Sequence, residues 1–198
     1  MGDSITMTSI VNVVTVLGSP RQESDSSRLA DAVAASLTGG AGASSRHVLN
    51  DLKHVRGCQA CQSCKGKTES CVVKDDLAPV LSAAAASDFL IVASPVYIGE
   101  ITAQLKPFID RSYSWYLPDF HTNPSPGRLP AGKKLLLIFT QGNPDPGTYS
   151  RVYEAYRDYF SRHGFRTAYR AVVVPYGPDK ENALRAAEAE LKGLAASL

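Results

Sequence analysis

The chain's four cysteines, Cys58, Cys61, Cys64 and Cys71, all fall in one short segment with the spacing C-x2-C-x2-C-x6-C. A thiolate is both a nucleophile and a metal ligand, so such crowding points to chemistry rather than packing. Three chemistries suit it. A cuboidal four-iron cluster needs four thiolates wrapped around a small object, and the first three cysteines have the compact spacing of such ligand runs, with Gly57 and Gly66 to ease the wrapping. A zinc ion also takes four cysteines, but structural sites generally use two separate knuckles, and here both would share Cys61. Free or redox-active thiols are the third reading. Lys53, Arg56, Lys65 and Lys67 flank the run and are expected to favour the thiolate in every case.

A second group is polar. The stretch Gly18-Ser19-Pro20-Arg21-Gln22-Glu23-Ser24-Asp25-Ser26-Ser27 follows an apolar run and enters a helical pattern. Hydroxyls of Ser19, Ser24, Ser26 and Ser27, together with unpaired N–H groups at a helix start, could hold a terminal phosphate, and Arg21 adds a forked cation. The alternative is an ordinary capped loop with Ser24, Asp25 or Ser26 as the cap. There is no Walker-type glycine-lysine signature and no dinucleotide glycine pattern; Gly39, Gly40 and Gly42 follow a helix, not a strand. Two further loops, Ser94-Pro95-Val96-Tyr97-Ile98-Gly99-Glu100 and Thr140-Gln141-Gly142-Asn143-Pro144, place glycines and small polar groups after apolar runs. Pro95 stiffens the first, Tyr97 offers an aromatic face, and Gly99 would let backbone approach a flat ligand.

The elements that must carry these loops are legible in the apolar pattern. Short apolar runs at 11–17, 89–93, 135–139 and 167–174, with a weaker one near 46–49, read as strands buried on both faces. Between them lie helical patterns from Leu29 to Leu37, from Leu77 to Ala84, from Thr102 to Tyr116 with Pro107 as an internal kink, from Tyr149 to His163, and from Lys180 to Leu198. Five strands alternating with five helices imply an α/β doubly wound parallel sheet covered on both faces. In such sheets ligands bind at the carboxyl ends of the strands, where strand order reverses. The loop with Pro118, Pro124, Pro126 and Pro130 is long enough to serve as a lid or a subunit contact. Trp115, Tyr113 and Tyr116 fit core positions more readily than a wall over a ligand, and His47, His54, His121 and His163 stand alone as surface or packing residues.

Composition bounds the rest. With 198 residues and no linker, residues 1–198 are expected to form one domain, with 57–72 as a cysteine-rich insertion and 1–9 as a disordered leader. Lys plus Arg number 21 against 19 for Asp plus Glu, a net charge of +2 without clustering, which argues against nucleic acid as a partner. The run Ile10–Leu17 is far short of a membrane span and lacks a basic flank, so neither membrane nor secretion is expected; the loose acylation pattern of Met1, Gly2 and Thr6 is read as unused. Clustered cysteines fit a reducing, cytoplasmic setting.

The ordered set Gly18-Ser19-Pro20-Arg21 with Ser26, Ser94-Pro95-Val96-Tyr97 with Gly99, Leu105-Lys106-Pro107-Phe108-Ile109-Asp110-Arg111, and the cysteine segment ending Cys71-Val72-Val73-Lys74-Asp75-Asp76 resembles the NAD(P)H-dependent FMN reductases and their iron-sulfur flavoprotein relatives. The resemblance covers about three-quarters of the chain. It implies a flavodoxin-like sheet of order 2-1-3-4-5 and FMN as cofactor. It also implies that Ser19, Arg21 and Ser26, in a loop that includes Asp25 and Ser27, hold the phosphate. Pro95, Val96, Tyr97, Ile98 and Gly99, beside Ser94, would line the isoalloxazine, and Thr140, Gln141 and Gly142 would complete the crevice. NAD(P)H would be the electron donor and a quinone, flavin, metal ion or protein the acceptor, in a homodimer or homotetramer. The iron-sulfur branch implies instead an electron carrier with a [4Fe-4S] cluster on Cys58, Cys61, Cys64 and Cys71 and a partner such as ferredoxin. A non-enzymatic module with structural zinc is the reading from another class. One departure stands out: relatives usually carry Gly-Asn where this chain has Ser24-Asp25, and a carboxylate beside a phosphate dianion is unfavourable.

Overall fold

The structure, a computed structural model, describes residues 12–39 and 43–198; the proposed leader, the acylation pattern, Gly40 and Gly42 lie outside the described residues. Five strands, β1 (Val13–Leu17), β2 (Ser44–Val48), β3 (Phe89–Pro95), β4 (Lys134–Gln141) and β5 (Arg166–Val173), form one sheet of order β2-β1-β3-β4-β5. Every neighbouring pair is parallel, with Val13 opposite both Ser44 and Phe89, and Lys134 opposite both Phe89 and Arg166. The expected strand order is observed.

Alternate strand residues face opposite sides of a sheet, and each side here has its own core. Val14, Val16, Leu90, Val92, Leu135 and Leu137 pack with helices α2 (Leu77–Ala86), α3 (Lys106–Arg111) and α4 (Ser150–Ser161). Val13, Leu17, Phe89, Ile91, Leu136 and Ile138 pack with α1 (Asp25–Thr38) and α5 (Lys180–Ser197). Burial on both faces is why β1, β3 and β4 read as nearly unbroken apolar runs. Edge strand β2, SSRHV, is largely half-exposed, which accounts for its weak signal.

Pro107 corrects one expectation. No helix spans Thr102–Tyr116; α3 begins at Lys106 with Pro107 in its first turn, where a missing N–H costs nothing, and passes into a 3-10 turn at Ser112–Trp115. Upstream, Thr102 donates from Oγ1 to the Gly18 carbonyl at 2.6 Å. A Cβ on Gly18 would lie 2.8 Å from the Leu105 Cβ, so a glycine is what lets the end of β1 pass this turn. Trp115 and Tyr116 are core residues, as their spacing suggested, and His163 is buried with them, its ring stacked on Tyr116 at 3.9 Å between centroids. The proline-rich segment is pinned: Leu117 N–H donates to the Pro126 carbonyl, and Gly127 lies flat against the His163 backbone.

Candidate functional site

The loops after β1, β3 and β4 converge. Arg21 and Asp25, Pro95, Val96 and Tyr97, and Thr140, Gln141 and Gly142 line one cavity of about 270 Å³ at the carboxyl edge of the sheet. Its remaining wall comes from a fourth loop that the sequence reading missed, Val174 to Gly177 after β5, together with Lys180 at the start of α5. That loop could have been found, since β5 ends on the same sheet edge and Pro175-Tyr176-Gly177 has the same makeup as the others. The cavity lies near the lower end of the range for ligand pockets, about 300 Å³ upward.

At its cationic end, Ser24 is the cap of α1, accepting from the Ser27 N–H at 3.1 Å. Ser24, Ser26 and Ser27 form a buried hydroxyl cluster, with Ser24 Oγ 2.8 Å from Ser27 Oγ and 3.2 Å from Ser26 Oγ. Ser19, also buried, accepts from the Arg21 N–H. These serines therefore shape the loop from within, and the side chains lining the cavity are Arg21 and Asp25. Asp25 does not cap the helix. Its carboxylate, mostly buried, lies 2.9 Å from Lys180 Nζ and 3.9 Å from an Arg21 nitrogen. Two cations against one anion leave this end with a surplus of one positive charge, beside a helix start that itself favours anions.

The β3 loop differs from expectation. Ser94 is buried and turned inward, donating to the Pro95 carbonyl and accepting from the Thr102 N–H, so it buttresses the loop instead of lining the cavity. Residues 97–100 form a tight turn closed by reciprocal hydrogen bonds between Tyr97 and Glu100. Its central residues, Ile98 at φ 51° and Gly99 at φ 76°, both take the left-handed conformation of a type I′ turn. Gly99 thus serves the turn and faces a neighbouring groove, while Ile98 is fully exposed despite being β-branched. In the β4 loop, Gln141 is locked: its amide donates to the Asn143 and Asp145 carbonyls and its oxygen accepts from Tyr153. Burial first, then the neighbouring Tyr149 and Tyr169, push the Tyr153 phenol up to about 12, so it stays a donor. A Cβ on Gly142 would sit 3.3 Å from the Tyr176 ring, so a side chain there would crowd an aromatic that lines the cavity.

The cysteines form the second site. All four line a cavity of about 200 Å³, several times the roughly 30 Å³ share of a water. Ala60 at φ 49° and Gln62 at φ 56° bend the loop on either side of Cys61 through a conformation that non-glycine residues adopt at a cost, the kind of strain found at functional sites. Among the described residues no three Cys, His, Asp or Glu side chains gather closely enough for a single metal ion. A cuboidal cluster binds each thiolate to a different iron and needs no such close approach. At Cys61 the cause differs from the flanking cations expected. The Cys61 thiol is lowered by hydrogen bonds from Ser63, backbone first and hydroxyl second, and not by a lysine. Lys65 is drawn inward, donating to the Tyr113 and Tyr116 carbonyls at 2.6 and 2.8 Å, and burial lowers its own pKa against the pull of Cys64.

Both stems of the cysteine segment are tied to the fold. The Asp76 carboxylate accepts from the Lys53 and His54 N–H groups, and Asp75 from Arg56 N–H and from Arg111 at 2.7 Å, in an ion pair almost closed to solvent. A groove of about 880 Å³ with Tyr113, Tyr149, Tyr156 and Tyr159 in its walls reaches from Gly99 and Glu100 to Cys58 and so adjoins both sites.

Residues 11–179 match the family described as NADPH-dependent FMN reductase. The chain belongs to that family. Within it, the chain is similar to an iron-sulfur flavoprotein of Archaeoglobus fulgidus, 33% identical over 148 residues that cover 74% of this chain and 64% of that protein. It is also similar to an iron-sulfur flavoprotein of Methanosarcina thermophila, 32% identical over 102 residues that cover 52% of each. The chain thus spans between about half and two-thirds of the length of these curated relatives. Among solved structures, an NAD(P)H:quinone oxidoreductase from Methanothermobacter marburgensis superposes with a TM-score of 0.67 at 14% identity, covering 93% of this chain and 96% of that one. An FMN-dependent NADH-azoreductase from Bacillus anthracis in complex with FMN gives 0.67 at 16%, covering 94% and 98%. At those identities the likeness is one of fold. The residues lining the strand-end cavity fit FMN in kind: a surplus cation at a helix start suits a phosphate, and Pro95, Tyr97, Gly142 and Tyr176 offer the flat, partly apolar surfaces a ring system needs.

Proposed function

We propose that this FMN reductase family member is an FMN-dependent oxidoreductase that accepts electrons from NAD(P)H and passes them to a quinone, flavin or other acceptor. The observation that carries the reading is the convergence of the strand-end loops on one cavity lined by the cations Arg21 and Lys180 and by the aromatic residues Tyr97 and Tyr176. FMN supplies the two-electron chemistry when bound; the protein binds, orients and shields it. Arg21 and the start of α1 fix the phosphate, the locked Gln141 loop and the Tyr97–Glu100 turn set the crevice width, and the exposed Tyr176 flanks it. Stoichiometric FMN in purified protein, bleached without oxygen by NADPH or NADH, is the expected result; protein that binds no flavin overturns the reading.

A specific observation favours a second reading within the first: four cysteines line one cavity that shares a groove with the flavin loop. In this reading Cys58, Cys61, Cys64 and Cys71 hold a [4Fe-4S] cluster, which handles single electrons and extends the acceptors to a protein such as ferredoxin. The protein then works in a reducing cytoplasm as a homodimer or homotetramer, for which the aromatic groove offers apolar surface. Anaerobic protein with close to four iron and four sulfide per chain, lost on Cys61→Ser while FMN stays, supports it. Iron-free protein from a cell with working cluster assembly leaves the simple reductase. One colourless metal equivalent without sulfide would favour zinc instead.

A further inference from the structure

Arg111 is the largest fully buried side chain in the described fold, and its guanidinium is almost fully occupied. Nη1 donates to both Asp75 oxygens at 2.7 Å and to the Arg56 carbonyl, and Nη2 donates to the Val73 carbonyl at 2.9 Å. Arg56 precedes the first cysteine and Val73 follows the last, so this one side chain joins both ends of the cysteine segment. Its Nε–H is different. Buried, it has no acceptor among the described residues. An unpaired buried N–H costs free energy that proteins seldom tolerate without a use for the donor. Arg111 also forms part of the wall of the cavity the four cysteines line. Cys71, the last thiol of the run, lines that same cavity, so the side chain with the unpaired N–H and this thiol bound one space.

We propose that the Arg111 Nε–H donates a hydrogen bond to the Cys71 thiolate of a [4Fe-4S] cluster held by Cys58, Cys61, Cys64 and Cys71, and thereby raises that cluster's reduction potential. The inference rests on the cluster reading above. Its physics is differential: reduction adds negative charge to the sulfurs, a hydrogen bond to sulfur stabilises the reduced form more than the oxidised one, and such bonds are among the levers that set cluster potentials. Asp75 already offsets the full positive charge of Arg111, so the directed N–H is what remains to act on the cluster. Arg111 is then a positioning residue that also tunes.

The test uses the full chain, prepared anaerobically with both cofactors. Arg111→Lys keeps a cation for Asp75 and removes Nε. Iron and sulfide are counted, and the cluster's midpoint is followed by EPR while the flavin's is followed optically. The expected result is a full cluster whose reduction equilibrium falls about tenfold, about 59 mV for one electron, with the flavin midpoint unmoved. A full cluster at the wild-type midpoint overturns the inference and leaves Arg111 as a buttress. Should the variant lose its cluster or fail to fold, protein that keeps Arg111, grown on arginine 15N-labelled at Nε alone in an Arg56→Lys and Arg128→Lys background, decides by pulsed EPR. A 15N coupling to the reduced cluster supports the hydrogen bond; none overturns it. Wild-type protein without iron overturns the cluster reading itself, a failure distinct from an unmoved potential.

Discussion

Asp25 and Lys180, the first residues of the first and last helices, meet at 2.9 Å across the cationic end of the strand-end cavity. The pair shows how an acidic residue is accommodated in the loop that the resemblance assigns to a phosphate. The carboxylate is held by Lys180 and Arg21, and in holding them it also occupies them. Asp25→Asn therefore releases both cations and should tighten FMN binding. Arg21→Ala should weaken it by about tenfold or more, the loss of a charge-assisted contact of ~1.5 to 3 kcal/mol, and Lys180→Ala should act in the same direction. Fluorescence titration of the apoprotein with FMN measures all three; weaker binding by the Asp25→Asn variant would show that the carboxylate organises the loop.

Acid should destabilise the fold through His163. Burial pushes this ring down to about 4, against an ordinary value near 6.5; Nδ1 lies 2.9 Å from the Tyr159 carbonyl and Nε2 finds no partner among the described residues. The native state then binds fewer protons than the unfolded chain, so stability drops as pH falls below about 6.5 and the full penalty, about 3 kcal/mol, is reached below about 4. Urea unfolding at several pH values in this window should show a flatter acid limb for His163→Asn, whatever the variant costs at neutral pH. An unchanged limb would mean that other groups set it.

Gly127 should tolerate no side chain. An added Cβ would meet the His163 carbonyl carbon and oxygen at 2.5 Å, and backbone cannot rotate away as a flexible side chain can. Gly127→Ala is expected to cost roughly 1–3 kcal/mol, as overpacking does, and to loosen the 117–130 segment, visible as faster amide exchange at Leu117 and Arg128, whose N–H groups donate to Pro126 and Trp115.

Much of this was legible in the sequence, for a physical reason. A strand buried on both faces must be apolar throughout, so β1, β3 and β4 declared themselves, and with them the edge where Arg21, Pro95 and Gly142 meet. What was hidden depended on contacts between distant segments. Arg111 sits 36 positions from Asp75, and nothing in the Lys106–Arg111 run announces that its last residue walls the cysteine cavity. Tyr176 and Lys180 follow edge strand β5, whose largely half-exposed pattern gives its loop a weaker signal than those after the buried strands. Ser94 looked like a ligand contact because exposure cannot be read from a serine alone.

Ile98 should be replaceable with a gain in stability. It is fully exposed at φ 51°, where a β-branched residue is strained and gains no packing. Ile98→Asn or Ile98→Gly should raise stability by about 1 kcal/mol, or ~2–4 °C in Tm for a chain of this size. A lower Tm would reveal a favourable contact for the isoleucine in the assembled protein, and a fall in acceptor turnover alongside a higher Tm would show that the strained residue is kept for catalysis.

The closed stem of the cysteine segment makes it an exchangeable cassette. Asp76 N–H donates to the His54 carbonyl at 3.1 Å, so the chain leaves and rejoins the fold at one point, and everything between hangs from a fixed base. Because loop closure grows costlier only slowly with length, such a segment can lengthen, shorten or lose its thiols with little consequence for the sheet beneath. Changes in that stretch fall outside the sheet so long as the buried Arg111–Asp75 tie at its base and the Lys65 contacts with the Tyr113 and Tyr116 carbonyls are kept.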